Sequence, residues 1–481
     1  MKKYVALLGA FLHIGVAFCS GSLDTTFGSA GTVSFVAPGV TGSCMGQGMS
    51  LSHDNELIFG GYGSVSGTNG IVLAKYRSDG SLNTAFGNNG MVLTDPSATG
   101  PLARVTSGVP CNWSVAGIQV HKPTGKVIVA SLITTIQGKN VGLGLGSYNS
   151  DGSPDQSFGI LATGSRVTRT GFSGIRGMYP YALAVQPDGK IITAGSASAG
   201  DAQGNNVFAL LRHDAHGMLD KGFGDKGVVK FAPFSPARGI QQRVYGIALQ
   251  RDGKIVTVGI ATVQSIYLMV ICRFNSDGSL DKTFGDMVLP PLVATPTRRG
   301  YTVATPGGLS LDLAFAVAVQ DDQKIVVSGY SNVPVTPTVA NQQSSTNLNL
   351  AVLRYNQDGS PDTTFGYTGT GMVLTKVGEW GMMPYAVGVQ SDGKIVTVGQ
   401  STSYDQQGLF DERFATVRFT SNGMIDTTFG PDRTGIVKTP LLNGQATAKG
   451  LVLYDNKIAA GGYAVDTARG FFDSAIVQYN Q

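Results

Sequence analysis

Two segments of this 481-residue chain place oxygen-bearing side chains at alternating positions: Asn275, Asp277 and Asp281, and again Asn356, Asp358 and Asp362. Calcium loops wrap a hard cation in oxygens supplied by residues spaced in this way. The same residue types also build capped turns, in which Asx side chains accept nearby backbone N–H groups and a glycine takes the left-handed position. Neither segment is followed by a bidentate Glu, and Ser20 and His216 replace the turn Asp in two related segments. These departures weigh toward turns, so no cofactor is expected, with calcium as the alternative. Other chemistry has little to work with. Beyond residue 19 the histidines are His53, His121, His213 and His216, three of them in or beside turn segments. No Gly-x-Ser-x-Gly elbow or Walker-type glycine loop is present, so a Ser-His-Asp nucleophile is not supported. Paired-carboxylate hydrolysis stays open, because two acids can come together from distant segments.

The segments that hold these residues recur. A Phe-Gly pair begins at Phe27, Phe86, Phe158, Phe223, Phe284, Phe365 and Phe429, at spacings of 59 to 81 residues. It ends phrases such as Asn275-Ser-Asp-Gly-Ser-Leu-Asp-Lys-Thr-Phe-Gly285. A second phrase recurs as Gln186-Pro-Asp-Gly-Lys-Ile-Ile192, Gln250-Arg-Asp-Gly-Lys-Ile-Val256 and Gln390-Ser-Asp-Gly-Lys-Ile-Val396, with weaker copies at Lys126, Lys324 and Lys457 and Glu56 in the first unit. Sevenfold repetition points to scaffold, since an active site is needed once. The runs between the phrases are short, β-branched or aromatic, and bounded by Gly, Asp or Pro, so each unit reads as four antiparallel strands. Units of this kind repeated radially describe an all-β, seven-bladed β-propeller of four-stranded antiparallel blades.

The first strand has its own pattern: Tyr181-Ala-Leu-Ala-Val, Tyr245-Gly-Ile-Ala-Leu, Phe315-Ala-Val-Ala-Val and Tyr385-Ala-Val-Gly-Val. Large residues share one face and Ala or Gly the other, which places this strand innermost, where neighbouring blades approach closely. The chain ends at Tyr479-Asn-Gln481, and Ser20-Gly-Ser-Leu-Asp-Thr-Thr-Phe-Gly28 supplies the continuation that other units have there. The last blade is therefore expected to be closed by the N-terminal segment.

The two phrases together resemble the delta-60 repeat family, a group of bacterial, usually exported, propeller-like repeats, and the resemblance covers essentially all of residues 20–481. It implies a propeller fold and no particular reaction or catalytic residue. Asn83 in place of the late Asp, His216 in place of the turn Asp and Thr124 in the first turn depart from the pattern.

Composition fits this reading. Glycine accounts for 67 residues and charged residues for only 14%, while 42% are hydrophobic, which excludes a disordered chain and disfavours a helical one. The glycine excess is turn punctuation. Residues 1–19 read as a signal peptide, with Lys2 and Lys3, an apolar run to Phe18 and cleavage after Cys19. The product is expected to be exported, periplasmic or extracellular, with residues 20–481 as one domain. Bulky Phe18 speaks against a lipoprotein, and no other run is long enough to span a membrane. Without Lys2 and Lys3 the formal charge falls from +4 to +2, with no basic run for nucleic acid. Cys44, Cys111 and Cys272 remain, either with a Cys44–Cys111 disulfide or as three buried thiols.

In a meander the two recurrent phrases lie on one face of the disc. The other face should carry the long insertions Asp95–Ser114, Leu289–Leu311, Ser331–Asn347 and Ser401–Glu412. Binding residues are sought there: Trp113, Trp380, Arg298, Arg299 and Tyr301, with Glu379, Tyr404 and Asp405. The expected function is a non-enzymatic binding propeller, monomeric, with a protein or glycan partner. The alternative is a polysaccharide hydrolase or lyase with acids on the same face.

Overall fold

The apolar runs between the phrases form strands because β-branched and aromatic residues suit a pleated, half-buried surface, and the Asp-Gly segments reverse the chain. The computed structural model describes residues 20–65, 67–94, 111–159, 165–169, 176–201, 204–234, 241–263, 266–288, 297–308, 311–332, 348–404, 410–442 and 444–481. The expected signal segment 1–19 lies outside the described residues, as do Asp405 and much of the four long insertions. Among the described residues there are seven four-stranded antiparallel sheets, each a meander, and no helix. Blades 1 to 6 span Cys44–Thr94, Cys111–Arg169, Arg176–Phe231, Gln242–Ala304, Asp312–Thr375 and Gly381–Thr439. Blade 7 takes three strands from Ala446–Asn480 and its fourth, Thr32–Phe35, from the other end of the chain, paired Thr32↔Val477 through Phe35↔Ser474. The seven-bladed propeller and its N-terminal closure are both as the repeats imply.

Each first strand packs against the first strands of both neighbours, so these seven strands ring the axis. Their small residues face the adjoining blades. A Cβ on Gly450 would lie 2.6 Å from the backbone nitrogen of Met49 in blade 1. Every first strand also skips a single residue midway in its pairing with the second, for example between Val244 and Gly246 and between Ala448 and Gly450, and blade 3 has a further shift between Arg176 and Tyr179. Such a bulge re-aims the unpaired side chain. The skipped residues are Tyr181, Tyr245, Phe315 and Tyr385 in blades 3 to 6, Lys449 in blade 7, and Gln47 and Ala116 in blades 1 and 2. All seven are partly exposed on strands that ring the axial channel, and Tyr245 and Phe315 also pack against Ile260, Leu313 and Tyr330.

The apolar core lies between blades. One cluster joins Val258, Ile271 and Phe284 of blade 4 to Ile325, Val327 and Leu353 of blade 5. The phenylalanine of each Phe-Gly pair is fully buried. Trp113, expected on a binding face, is buried as well. It begins the interior part of the blade 2 first strand and packs with Ile71, Ile133 and Phe86. Cys44, Cys111 and Cys272 are separate buried thiols, and burial pushes the Cys44 thiol upward.

Part of one insertion, residues 297–300 of Leu289–Leu311, falls on the opposite face from that expected. In blade 4, Met287-Val288-Leu289 imitates the fourth strands Met91–Thr94 and Met372–Thr375, yet the fourth strand is Tyr301–Ala304. The deciding residue is Gly300, whose φ of +86° and close approach to Leu280 match Gly227 against Leu219 in blade 3. Met287–Val288 instead pairs with Thr297–Arg298 as a small extra hairpin. It belongs to the third-to-fourth connection and so lies on the face of the recurrent phrases.

Candidate functional site

The recurrent Asp and Lys residues form a clasp repeated around the disc. In blade 4, the late Asp281 accepts from Arg273 Nε at 2.7 Å and from Lys254 Nζ at 3.1 Å, while its other oxygen accepts from the Thr283 N–H and hydroxyl at 2.9 and 2.7 Å. Burial works to raise the Asp281 carboxyl. The hydrogen bonds from Thr283 and Lys254 and the charge of Arg273 outweigh it and hold the group at about 2. Arg273 stacks over the Phe284 ring at 4.6 Å and donates to the Gln357 carbonyl of blade 5. The same arrangement holds Asp220, Asp362 and Asp426 against Arg212, Arg354 and Arg418. Blade 1 keeps the geometry with the acid moved: Lys75 stands at the arginine position and binds Glu56, which occupies the lysine position and accepts from Asn83 at the place of the late Asp.

A second link passes from blade to blade through the backbone. The glycine N–H of each Phe-Gly pair donates to a carbonyl in the next blade's turn at 2.6–2.9 Å: Gly224 to Asp277, Gly285 to Asp358, Gly430 to Ser20, Gly28 to Asp79 and so on around the ring. Because a carbonyl accepts this bond, Ser20 and His216 can replace Asp there. Gly278 and Gly359, with φ near +85°, complete the contact, since a Cβ on Gly359 would lie 2.7 Å from the Gly285 nitrogen.

The residues considered for calcium are engaged in these turns. Asp277 accepts from the Ser279 N–H and hydroxyl, and Asp358 from those of Ser360. Asn275 and Asn356 donate to the Ser279 and Ser360 hydroxyls. Asp281 and Asp362 face cations. Among the described residues no three His, Cys, Asp or Glu side chains converge to hold a metal. Chelator is expected to leave the melting temperature unchanged in differential scanning calorimetry; a drop of several degrees would restore calcium to the turns.

The arginine and tyrosine candidates separate from the rest. Arg298, in the extra hairpin, donates to the Gly285 and Asp358 carbonyls and pairs with the Asp358 carboxylate, bridging blades 4 and 5 on the phrase face. Arg299 is exposed beside it. Tyr301 packs between blades against Phe231 and Phe234, its hydroxyl donating to the Pro233 carbonyl at 2.9 Å.

Trp380 and Tyr404 do come together on the loop face, at blade 6. Trp380 precedes the first strand, Tyr404 ends the second and Phe410 begins the third, directly opposite Tyr404. Tyr404 and Phe410 stack at 5.4 Å and 26°, and Trp380 stands edge-on to Tyr404 at 5.5 Å and 86°. Tyr404 is 43% and Phe410 55% exposed, so a stacked aromatic pair faces solvent. Sequence reasoning missed Phe410. Its signal was a second aromatic residue inside the insertion Ser401–Glu412 that holds Tyr404. A cavity of about 520 Å³ adjoins the pair, lined by Glu379, Ser403, Asp411, Arg413 and Lys438. Glu379 accepts the Tyr404 N–H at 3.1 Å, and Asp411 is held by Arg413 through two bonds at 2.7 and 3.0 Å. Both acids of this cavity are committed to protein donors. Lys438 is exposed and makes no ion pair among the described residues.

Five stretches, residues 53–86, 186–223, 250–284, 320–365 and 390–429, match a family described as a domain of unknown function (DUF5122), β-propeller. Each stretch runs from the first-turn phrase to the Phe of the Phe-Gly pair. The unmatched blades 2 and 7 carry Ser147 and Gln478 where blades 3 to 6 have the clasp arginine. No curated protein matches the sequence. Among solved structures, Sqt1 from Chaetomium thermophilum is 10% identical over 92% of this chain and 97% of its own, with a TM-score of 0.41. The polysaccharide lyase Uly1 is 14% identical over 64% of this chain, which spans 57% of that protein, with a TM-score of 0.35. The GH43_1 enzyme from Xanthomonas citri is 12% identical over 64% of this chain and 87% of its own, with a TM-score of 0.29. Likenesses this distant carry no argument about activity. The chain is a β-propeller built from repeats, and the family match falls on the clasp-bearing part of five of them.

Proposed function

We propose that the protein is an exported, monomeric, non-enzymatic propeller of the delta-60 repeat kind that binds a glycan on the loop face of blade 6. The observation that carries this reading is the exposed, stacked Tyr404–Phe410 pair beside a polar cavity. A flat aromatic surface suits the apolar face of a pyranose, and flanking charged and hydroxyl groups suit its hydroxyls. The acids of the cavity accept hydrogen bonds from Tyr404 and Arg413, which favours binding over hydrolysis or lysis. No helix among the described residues is long and apolar enough to cross a membrane. A glycan array followed by titration calorimetry tests the reading. Phe410→Ala and Tyr404→Ala should each weaken the captured glycan at least tenfold, about 1.4 kcal/mol, without lowering the melting temperature. Capture of a protein but no glycan would transfer the surface to a protein partner. Release of new reducing or unsaturated ends from the bound glycan would establish the enzymatic alternative.

A further inference from the structure

The seven bulged residues of the first strands form a collar in the axial channel, and its members are unequal. Tyr181, Tyr245, Phe315 and Tyr385 touch in sequence, with ring centroids 5.1, 5.1 and 5.7 Å apart. The next place belongs to Lys449, whose Nζ lies 3.2 Å from the centroid of the Tyr385 ring. The Lys449 ammonium makes no ion pair or side-chain hydrogen bond among the described residues. Glu412, whose charge is felt at Tyr385, accepts from Gln400 instead. The remaining places are Gln47 and Ala116. In a ring of seven, the place of Ala116 lies across the axis from Phe315 and Tyr385. Ala116 contributes only a methyl group opposite two aromatic rings, reaching less far toward the axis than they do, and is flanked on one side by a carboxamide.

An ammonium without a counter-charge in an aromatic setting is incomplete. The Tyr385 face offers it a cation–π contact, but among the described residues no carboxylate pairs with it. Burial brings the Lys449 amine down to about 8, the direction expected of a cation that lacks its partner. We propose that the axial collar binds a small ring-shaped carboxylate, its anion on Lys449 and its ring over Ala116 against Phe315 and Tyr385. The carboxylate supplies the missing charge, the aromatic wall receives the ring, and Gln47 offers a donor and an acceptor at the same level. This site is on the axis, apart from the blade 6 corner, and does not depend on the glycan reading.

Titration calorimetry of the folded protein with glucuronate, benzoate and neutral glucose tests it. At least one carboxylate should bind while glucose does not. Binding of glucuronate alone assigns the ring to an acidic sugar, and of benzoate alone to an aromatic acid. Lys449→Met should weaken the bound carboxylate at least tenfold. Ala116→Phe, which sets a side chain where the ring would lie and leaves the lysine in place, should do the same. Thermal melts establish that each variant is folded, and if one is not, the other decides. The site is overturned if neither carboxylate binds the wild-type protein, or if a folded variant binds as tightly as wild type.

Discussion

A chain lacking residues 20–35 is expected to lose its cooperative thermal transition and to aggregate. The deletion removes the whole fourth strand of blade 7 and the fully buried Phe27. It also removes Asp24, which holds Lys457 at 2.8 Å and accepts from Gln478 at 2.8 Å. Two of the backbone links around the disc go with it, Gly430 to Ser20 and Gly28 to Asp79. Loss of a buried phenylalanine alone costs about 3–5 kcal/mol, and the remaining losses bring the total into the range of an entire folding free energy, roughly 5–15 kcal/mol. The strand Phe471–Asn480 would become an open edge flanked by exposed apolar surface, a template for pairing between chains. Calorimetry and gel filtration measure both outcomes. A synthetic peptide of residues 20–35 should restore the transition by adding the strand back in trans. A truncated protein that melts like the intact one would show that closure contributes nothing.

The second large effect is expected at the clasp. Asp281→Ala leaves Arg273, which is 3% exposed, and Lys254 without their carboxylate, and should cost about 3–5 kcal/mol in urea unfolding. Asp277→Ala in the adjoining exposed turn removes a capping acceptor and should cost about 1 kcal/mol or less. Equal costs would show that the clasp is no more than a surface ion pair. The pH dependence follows from the same carboxylates. Asp281 and Asp24 sit at about 2 when folded, against an ordinary 3.8. Because the folded pKa is the lower one, the stabilisation is fully present above about pH 4 and is lost as pH falls through the folded value near 2. Several clasps titrating together should give a steep acid transition in that window. Blade 1 offers a reciprocal check. Glu56→Lys would set a second ammonium beside Lys75 and destabilise the blade, and adding Asn83→Asp should recover most of the loss.

The scaffold was legible because its signals are local and repeated. Asp-Gly turns, the Phe-Gly pairs and the large-small alternation of the first strands are each written several times, so drift at Thr124 or His216 does not hide them. The clasp was half legible. Its Asp and Lys belong to the phrases, but its arginine sits in the third strand, and only the constant spacing of eight residues in Arg212/Asp220, Arg273/Asp281, Arg354/Asp362 and Arg418/Asp426 marks the pair. What the sequence concealed was the choice between equivalent local signals. Met287-Val288-Leu289 and Tyr301–Ala304 are both acceptable fourth strands, and the glycine at 300 decides through a contact with Leu280 that spacing does not display. Trp113 was misplaced for a related reason: a tryptophan at the edge of a long insertion reads as surface until the strand is seen to start at Cys111. The collar went unseen because a bulge does not alter the alternation of residue types. Tyr385 and Lys449 occupy one structural place while differing in every chemical respect.

The closing strand also sets the order of events during synthesis. Asp24 and Gln478, bonded in the finished disc, are 454 residues apart in the chain. At about 5–20 residues per second, roughly 20 to 90 seconds separate the making of one from the making of the other. Through that interval Thr32–Phe35 lacks the strand it pairs with, although Phe35 can already pack on Phe59 and Tyr76 of blade 1, and six blades can assemble while the seventh cannot. The strand Phe471–Asn480 is thus a timing signal: until it emerges, every copy of the protein is an open arc with a ready-made edge.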